Sequence, residues 1–497
     1  MPNTSRHRSS GIILPLLVGL LVSQILATVI VLRSNRHLEQ KVSAVASAGF
    51  LTIPTRNMQP ALPGWAAALG GGLFFTLSSG AGIVLLSIVA MFLAQRLRLI
   101  NRWLPLVLLL LPAGLLGWLN AAGFNLTATL FFTLVPVSVI LVFPASRTKR
   151  GHTSEKVMIL APFGALIILA GCWLTQLNSA LFVNIRDFVL LSNPVGAKLN
   201  DLYYRYTLFP AEVFKPLDQK TQRTYRLLGH DDSRRRQYVE KVLQNNDFFP
   251  VSKDTAADVT VQLSGQSMTF EQEGRIILNK TPQGFLSQPH RTLRELSERA
   301  DRYEAFRKFT FYSILFAFPI MLFGMVYLTL VHICRLLLSR NTAAFLAALV
   351  CLALGAVPLL AVYRANVGKL SETGLRQMLV SAKWQEHTVA LRAIDASGIE
   401  ISRFPHYADL LNSPHLPVRY WLARALGASR VSSTYDDLLG MLQDPHPNVV
   451  CQAFFGLGRR GDPKAIPYIL SKVKTLDSWY SQRYGYNALR KLGWKQP

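Results

Sequence analysis

One short run comes nearest to a chemical constellation: His230, Asp231 and Asp232, followed by Arg234, Arg235 and Arg236. A histidine beside carboxylates can ligate a metal or act as an acid/base pair, and three guanidinium groups can hold a phosphate. Adjacent side chains in one turn rarely converge on one atom, so the run reads first as the solvated start of a helix, with Asp231 or Asp232 as its N-cap. The four cysteines, Cys172, Cys334, Cys351 and Cys451, are spaced for neither zinc nor a disulfide framework and read as small buried hydrophobes. No CxxCH marks an attached haem, and HExxH, GxSxG, a phosphate loop and CxxC are all missing. The chain therefore offers no catalytic residue, no metal ligand set and no cofactor site by motif.

The elements that would position such groups are mostly apolar. Half of the 497 residues are hydrophobic and only 16% are charged, too few for a string of ordinary soluble domains. A net charge of +25 raises nucleic acid as a partner, and its distribution argues against it. Residues 1–175 hold 13 Lys and Arg against two acids, nearly all in short segments between apolar runs, which is how membrane orientation signals look.

A bilayer core about 30 Å thick needs roughly 20 apolar helical residues. Seven segments meet this: Gly11–Leu32, Trp65–Ala94, Trp103–Leu119, Phe124–Phe143, Val157–Leu177, Phe309–Ile333 and Thr342–Val362. The first is read as an uncleaved anchor. In the second, Gly70-Gly71-Gly72 and Ser78-Ser79-Gly80 permit close helix approach. Asp, Glu, Lys and Arg are missing from all seven cores, which removes support for ion-coupled transport. Gln24 reads as an interhelical amide and His332 as an interfacial side chain. Lys and Arg in three short connections (96–102, 147–156 and 335–340) place these and the N-terminus in the cytoplasm. The 33–65 loop, residues 178–308 and the C-terminal part then lie outside, periplasmic in a bacterial envelope, with the C-terminal side changing if one span is miscounted.

Residues 178–308 are too long for a loop and read as a small α+β domain. Phe182–Leu191 and the run Tyr203-Tyr204-Arg205-Tyr206 suit headgroup depth. Thr221–Gln244 reads as a helix broken near Gly229. Asp258–Leu263 and Met268–Leu278 alternate like strands, with turns at Gly265 and Gly274, and Arg291–Lys308 as a helical stalk entering the sixth span.

The C-terminal part repeats itself. SPHLPVRYWLARALG at 413–427 aligns without gaps on DPHPNVVCQAFFGLG at 444–458, a period of 31, and a third copy ends at Gly493. Such periods mean stacked helical pairs. Asp444-Pro445 and Asp462-Pro463 read as helix starts, and Gly427 and Gly458 as helix ends. With these residues, and LGRRGDPKAIPYIL at 457–470, the segment resembles the short HEAT-like repeats also found in phycobilisome lyase subunits. The resemblance covers about the last 110 residues and implies a surface that binds a protein partner, lined by His415, Arg419, Arg424, His446, Arg459 and Arg460.

The resulting expectation is a mainly α polytopic membrane protein with about seven transmembrane helices, a small α+β extramembrane domain and a C-terminal HEAT-like α-solenoid. Its parts are a five-helix membrane bundle (1–177), the extramembrane domain with its stalk (178–308), two further transmembrane helices (309–363) and the repeats (364–497). Its partners are the lipid bilayer and a protein, with no nucleic acid and no cofactor. A non-catalytic scaffold of a bacterial inner membrane fits best; a transporter or permease subunit and an enzyme acting on a lipid-linked substrate stay open beside it.

Overall fold

The computed structural model describes residues 12–100, 103, 110–143, 155–229, 232–364 and 371–496. Helix α1 (Ile13–Ser47) has 35 residues, about 50 Å at 1.5 Å each. It runs well into the stretch read as a loop from residue 33: no Gly or Pro interrupts residues 33–48, and Val42 and Val45 continue the buried stripe until Gly49 turns the chain with φ 90°. Helices α2 (Trp65–Phe75) and α3 (Ala81–Ile100) join through a π turn at Thr76–Gly80. Then come α4 (Leu110–Leu119), α5 (Leu126–Val142) and α6 (Glu155–Thr175).

After the cap described below, α13 (Glu304–Tyr312) continues through a second π turn, Ser313–Ala317, into α14 (Phe318–Cys334), followed by α15 (Arg340–Arg364). Among the described residues four helices are long and apolar enough to cross a membrane: Ile13–Ser47, Trp65–Leu97, Glu304–Cys334 and Arg340–Tyr363. The expected seven are thus not reached by length. Leu126–Val142 and Leu160–Thr175 are shorter apolar helices, Asn125 caps α5 too late for Phe124 to belong to it, and the third expected span lies largely outside the described residues.

On α1 the residues Leu14, Leu17, Leu21, Ile25 and Val29 form an exposed apolar stripe, while the buried side carries Gly19, Ser23, Ala27 and Thr28. Apolar surface outside and small residues between helices is the polarity of a helix packed in lipid. The glycine clusters are used for close approach: a Cβ on Gly72 would meet Thr28 Oγ1 at 2.8 Å, and one on Gly80 would meet Ser23 Oγ at 2.1 Å. Gln24 ties α1 to α2, donating to the Leu69 carbonyl (3.1 Å) and accepting from Thr76 Oγ1 (2.9 Å). Ser79 and Thr310 hydroxyls meet at 2.8 Å across the helices that carry the two π turns.

The cap starts with α7 (Leu181–Ile185), a π turn at Arg186–Leu190, α8 (Pro194–Tyr206) and α9 (Leu208–Phe214). Five strands follow: β1 (Arg223–Leu228), β2 (Phe248–Pro250), β3 (Val259–Ser264), β4 (Ser267–Gln272) and β5 (Arg275–Lys280). Their order is β2-β1-β3-β4-β5, with β1 parallel to both neighbours and the last two pairings antiparallel. Helix α10 (Ser233–Asn245) crosses from β1 to β2, and α11 (Pro282–Ser287) and α12 (Pro289–Ala300) complete the unit. Its core holds Tyr225, Val261, Phe270 and Phe285, all fully buried.

Two readings of this region are corrected. Thr221–Gln244 is not one broken helix, because Thr224 and Tyr225 sit buried in a strand paired on both sides before α10 begins. The stalk is interrupted at Asp301–Tyr303, where Asp301 Oδ1 accepts from the Tyr303 N–H. Asp232 caps α10 by accepting from the Arg234 N–H at 3.1 Å; His230 and Asp231 lie outside the described residues.

The C-terminal module comprises α16 (Glu372–Leu379), α17 (Trp384–Ser397), α18 (Leu416–Ala428), α19 (Ser433–Gly440), α20 (Pro447–Arg460), α21 (Ile466–Thr475) and α22 (Trp479–Lys491). Gly427 and Gly458 do not end helices. They lie within the last turns of α18 and α20, and Gly461, at φ 77°, closes α20. A Cβ on Gly427 would stand 2.3 Å from Gly456 Cα, so these glycines set the spacing of α18 and α20. Asp462 caps the turn before α21, whereas Asp444 accepts from the His446 N–H ahead of α20, whose N-cap is His446 itself. Gly427→Ala is expected to cost about 1–3 kcal/mol by overpacking, read as a lower thermal midpoint of the purified full chain, while Gly440→Ala, facing open space, leaves it unchanged.

Candidate functional site

The six residues expected to line a partner surface are spread along the seams of the module. Arg419 Nε donates to Asp444 Oδ2 at 2.7 Å, a brace from α18 to the start of the next repeat. Arg424 and Arg459 converge on the buried Asp395 of α17, with Arg424 Nε at 2.8 Å. Arg460 donates to the carbonyls of Leu426 and Val431. His415 stacks on Trp384 with ring centroids 5.3 Å apart. His446 Nε2 lies 3.0 Å from Asp201 Oδ1, on α8 of the cap. The four arginines therefore join repeat to repeat, and His446 joins the repeats to the rest of the chain.

That second junction is extensive. Asp187, fully buried in the π turn after α7, accepts from Arg186 Nε at 2.8 Å and from the Trp421 indole of α18 at 2.8 Å. Arg186 Nη2 pairs with the same carboxylate at 2.7 Å, and its guanidinium covers the Tyr420 ring at 3.8 Å. Arg392 of α17 donates to Asn184 Oδ1 at 2.6 Å. Further along, Tyr204 meets Tyr480 and Phe209 meets Trp479, edge to face, at 4.9 and 5.1 Å. The segment after α1 closes the seam: Thr55 N–H donates to Gln482 Oε1 (2.9 Å), and Gln496 bonds both backbone groups of Leu51. One face of the repeats thus holds the cap and the strip that follows α1.

Helix α8 lies beside that seam. Val195, Leu199, Leu202 and Tyr203 form an exposed apolar stripe flanked by exposed Lys198, Asp201 and Arg205, while Gly196 and Asn200 are buried. A helix with one apolar exposed face and one docked face suits a membrane interface. Burial holds the His446 imidazole below its usual value although Asp201 opposes this. The unfolded chain then takes up the proton more readily, so stability from neutral His446 is present above the ordinary imidazole value of 6.5 and is lost as pH falls from there through the lower folded value. Unfolding midpoints measured between about pH 5 and 8 should fall on acidification in the native chain and flatten in His446→Gln.

A cleft of about 720 Å³ opens beside the middle of α1. Its lower walls are Val29 and Ile30 of α1 with Leu126 and Leu130 of α5; its upper walls are polar groups of α1 and the cap. The acids there are each neutralised: Asp258 by Lys41 (2.8 Å) and Lys220 (2.6 Å), Glu212 by Lys215, Glu273 by Arg302 and Asp301 by Arg307. Burial works against the charged form of Asp258, but Lys220 and Lys41 outweigh it and hold the carboxyl well below the usual range. The Tyr203–Tyr206 run does not line this cleft. Sequence reasoning missed Asp187, Asp258 and Asn125, whose partners come from distant segments.

Among the described residues no group of three or more His, Cys, Asp or Glu is placed to hold a metal ion. Cys351 and Cys451 are buried as expected, burial pushing the Cys451 thiol up to about 12, whereas Cys334 is half-buried and Cys172 is exposed. No curated protein and no solved structure matches the chain. The HEAT repeats family matches residues 405–482, from the turn before α18 into α22, and the C-terminal module is accordingly built of HEAT repeats.

Proposed function

We propose that the protein is a membrane-anchored assembly protein in which the HEAT repeats (364–497) brace the extramembrane cap (178–308) with one face and recruit a protein partner with the other. The observation that carries this reading is the docked face: a module of a protein-binding type is fixed in one orientation by buried Asp187, leaving its far side outward. Tyr468, 57% exposed on α21, and Val431 belong to that outward side. A photo-crosslinking residue at Tyr468 or Val431 should capture one discrete protein in cells, and one at Tyr204 should give only internal adducts. The recruiting role is wrong if neither outward position yields an intermolecular adduct.

The membrane part in this reading is 1–177 with 309–363, and α4, α5 and α6 cross the same apolar layer as the four long helices. Support comes from α5. Gly123, just before it, sits against Arg275 and Arg302 of the cap, while Phe143 at its other end meets Phe92 of α3 at 5.3 Å. The N-terminus is then cytoplasmic in a bacterial inner membrane, and cap and repeats are periplasmic. Reporters of periplasmic and of cytoplasmic activity, fused in turn after Pro497 and within residues 218–222, should agree on one outer side. Opposite sides for the two sites would break both the seven-pass reading and the docked seam.

A further inference from the structure

The cleft beneath the cap is built as a junction of two solvents. Along α1 the wall changes from Leu26, Val29 and Ile30 to Arg33, His37 and Lys41, each one helical turn above the last. Along α5 it changes in the opposite chain direction, from Asn125 to Leu126 and Leu130. Both helices therefore place polar groups at the upper end and apolar ones below. Val29, Leu126 and Leu130 are 55%, 56% and 44% exposed, so the lower half opens sideways onto the apolar layer.

Two features of the upper half ask for an anion. Every acid in the wall already has a cation, whereas Arg33 has no acidic partner among the described residues. Asn125, a residue of the cleft wall, is only 6% exposed and spends its Oδ1 on capping the Ala128 N–H at 3.1 Å, while its Nδ2, buried behind the wall, has no acceptor among the described residues. A buried donor without an acceptor is costly, and this one stands at the N-terminus of a 17-residue helix, where the backbone favours negative charge. The volume falls in the range of small-molecule sites.

We propose that this cleft binds an anionic phospholipid, with the phosphate held by Arg33 and Asn125 Nδ2 and one acyl chain lying in the groove between α1 and α5. A free phosphate would leave the apolar half of the cleft without purpose. A zwitterionic head would find no spare carboxylate for its ammonium group, since the four acids are paired. The proposal rests on the membrane-anchored reading, not on partner recruitment.

The test uses the full chain purified in detergent and titrated with palmitoyl-oleoyl phosphatidylglycerol, bound lipid being counted by native mass spectrometry. Arg33→Gln should weaken binding about tenfold, as loss of one charge-assisted contact does. Asn125→Asp keeps the capping oxygen but replaces the donor by a negative charge, and should weaken it at least as much. Arg36→Gln removes the same charge from α1 at a position outside the cleft and should leave binding unchanged. Palmitoyl-oleoyl phosphatidylcholine should bind about tenfold more weakly than the glycerol lipid to the native chain. Equal losses in Arg33→Gln and Arg36→Gln, or none in either cleft variant with unchanged melting, overturn the proposal. Full displacement of the lipid by millimolar inorganic phosphate would assign the site to a free anion instead. Recovery of the chain from the soluble fraction of cells would reject the membrane reading separately, before any lipid is added.

Discussion

Replacing Asp187 by leucine is expected to destabilise the docked state by about 3–5 kcal/mol and to release the repeats from the cap. The carboxylate is fully buried and serves two donors at once, Arg186 Nε and the Trp421 indole. Without it, the Arg186 guanidinium, 7% exposed, keeps its charge with only neutral tyrosines, Tyr420 and Tyr204, around it. Removing one partner of a buried pair costs far more than the pair itself contributes, because the orphaned ion has lost water and gained nothing. Hydrogen exchange of the full chain should then show new exposure in two separate places, the turn at 186–190 and helix α18, with the long apolar helices still protected. Arg186→Met together with Asp187→Leu removes both charges and should recover most of the loss; failure to recover would mean that the indole bond, not the ion pair, governs docking.

Asp258→Asn is the second large effect, expected at about 3 kcal/mol. One carboxylate, 5% exposed, balances two lysines that come from α1 and from the start of the cap, and it also accepts from the Thr224 N–H and hydroxyl at 2.9 Å each. The asparagine can keep the Thr224 contacts but leaves Lys41 and Lys220 facing each other uncompensated. The sign of the pH dependence follows from the depressed carboxyl. Stability from Asp258 is fully present above its unfolded value of 3.8 and is lost as pH falls through the lower folded value. At neutral pH the variant should therefore melt well below the native chain, and the gap should narrow only in strong acid. A gap that closes already near pH 6 would mean that another group dominates.

What the sequence disclosed and what it withheld divide along sequence distance. The repeats were legible because Val418 and Val449, or Leu426 and Leu457, recur at one period and stack on their own copies. The apolar runs were legible because lipid demands continuity. Strand β1 was not, since Arg223–Leu228 owes its conformation to pairing with Phe248–Pro250 and Val259–Gln262, and six isolated residues carry no such instruction. The basic residues of the repeats looked like a free surface because their acids are remote: Asp395 lies 29 residues from Arg424, and Asp201 lies 245 from His446. Arg186 and Asp187 lay unremarked within Phe182–Leu191, because the Trp421 indole that shares the carboxylate is 234 residues away. The cleft draws on α1, the start of α5 and several pieces of the cap, and none of these segments is conspicuous alone.

The hydrogen bonds between Leu51 and Gln496 span 445 residues. At synthesis rates of roughly 5–20 residues per second, the strip after α1 is made about 20–90 s before the side chain that completes its pairing emerges. During that interval Gln222 of the cap can already serve the Ile53 N–H and the Leu51 carbonyl, while the N–H groups of Leu51 and Thr55 stay open until Gln496 and Gln482 arrive, and the cap can fold against only one of its two eventual neighbours. Final closure is thus a post-translational event of very long loop length, the kind of contact that forms late and slowly. Biogenesis of this chain, more than its finished stability, is where an insertion factor or chaperone would leave its mark, and nascent chains arrested before α22 should remain sensitive to protease at residues 50–57.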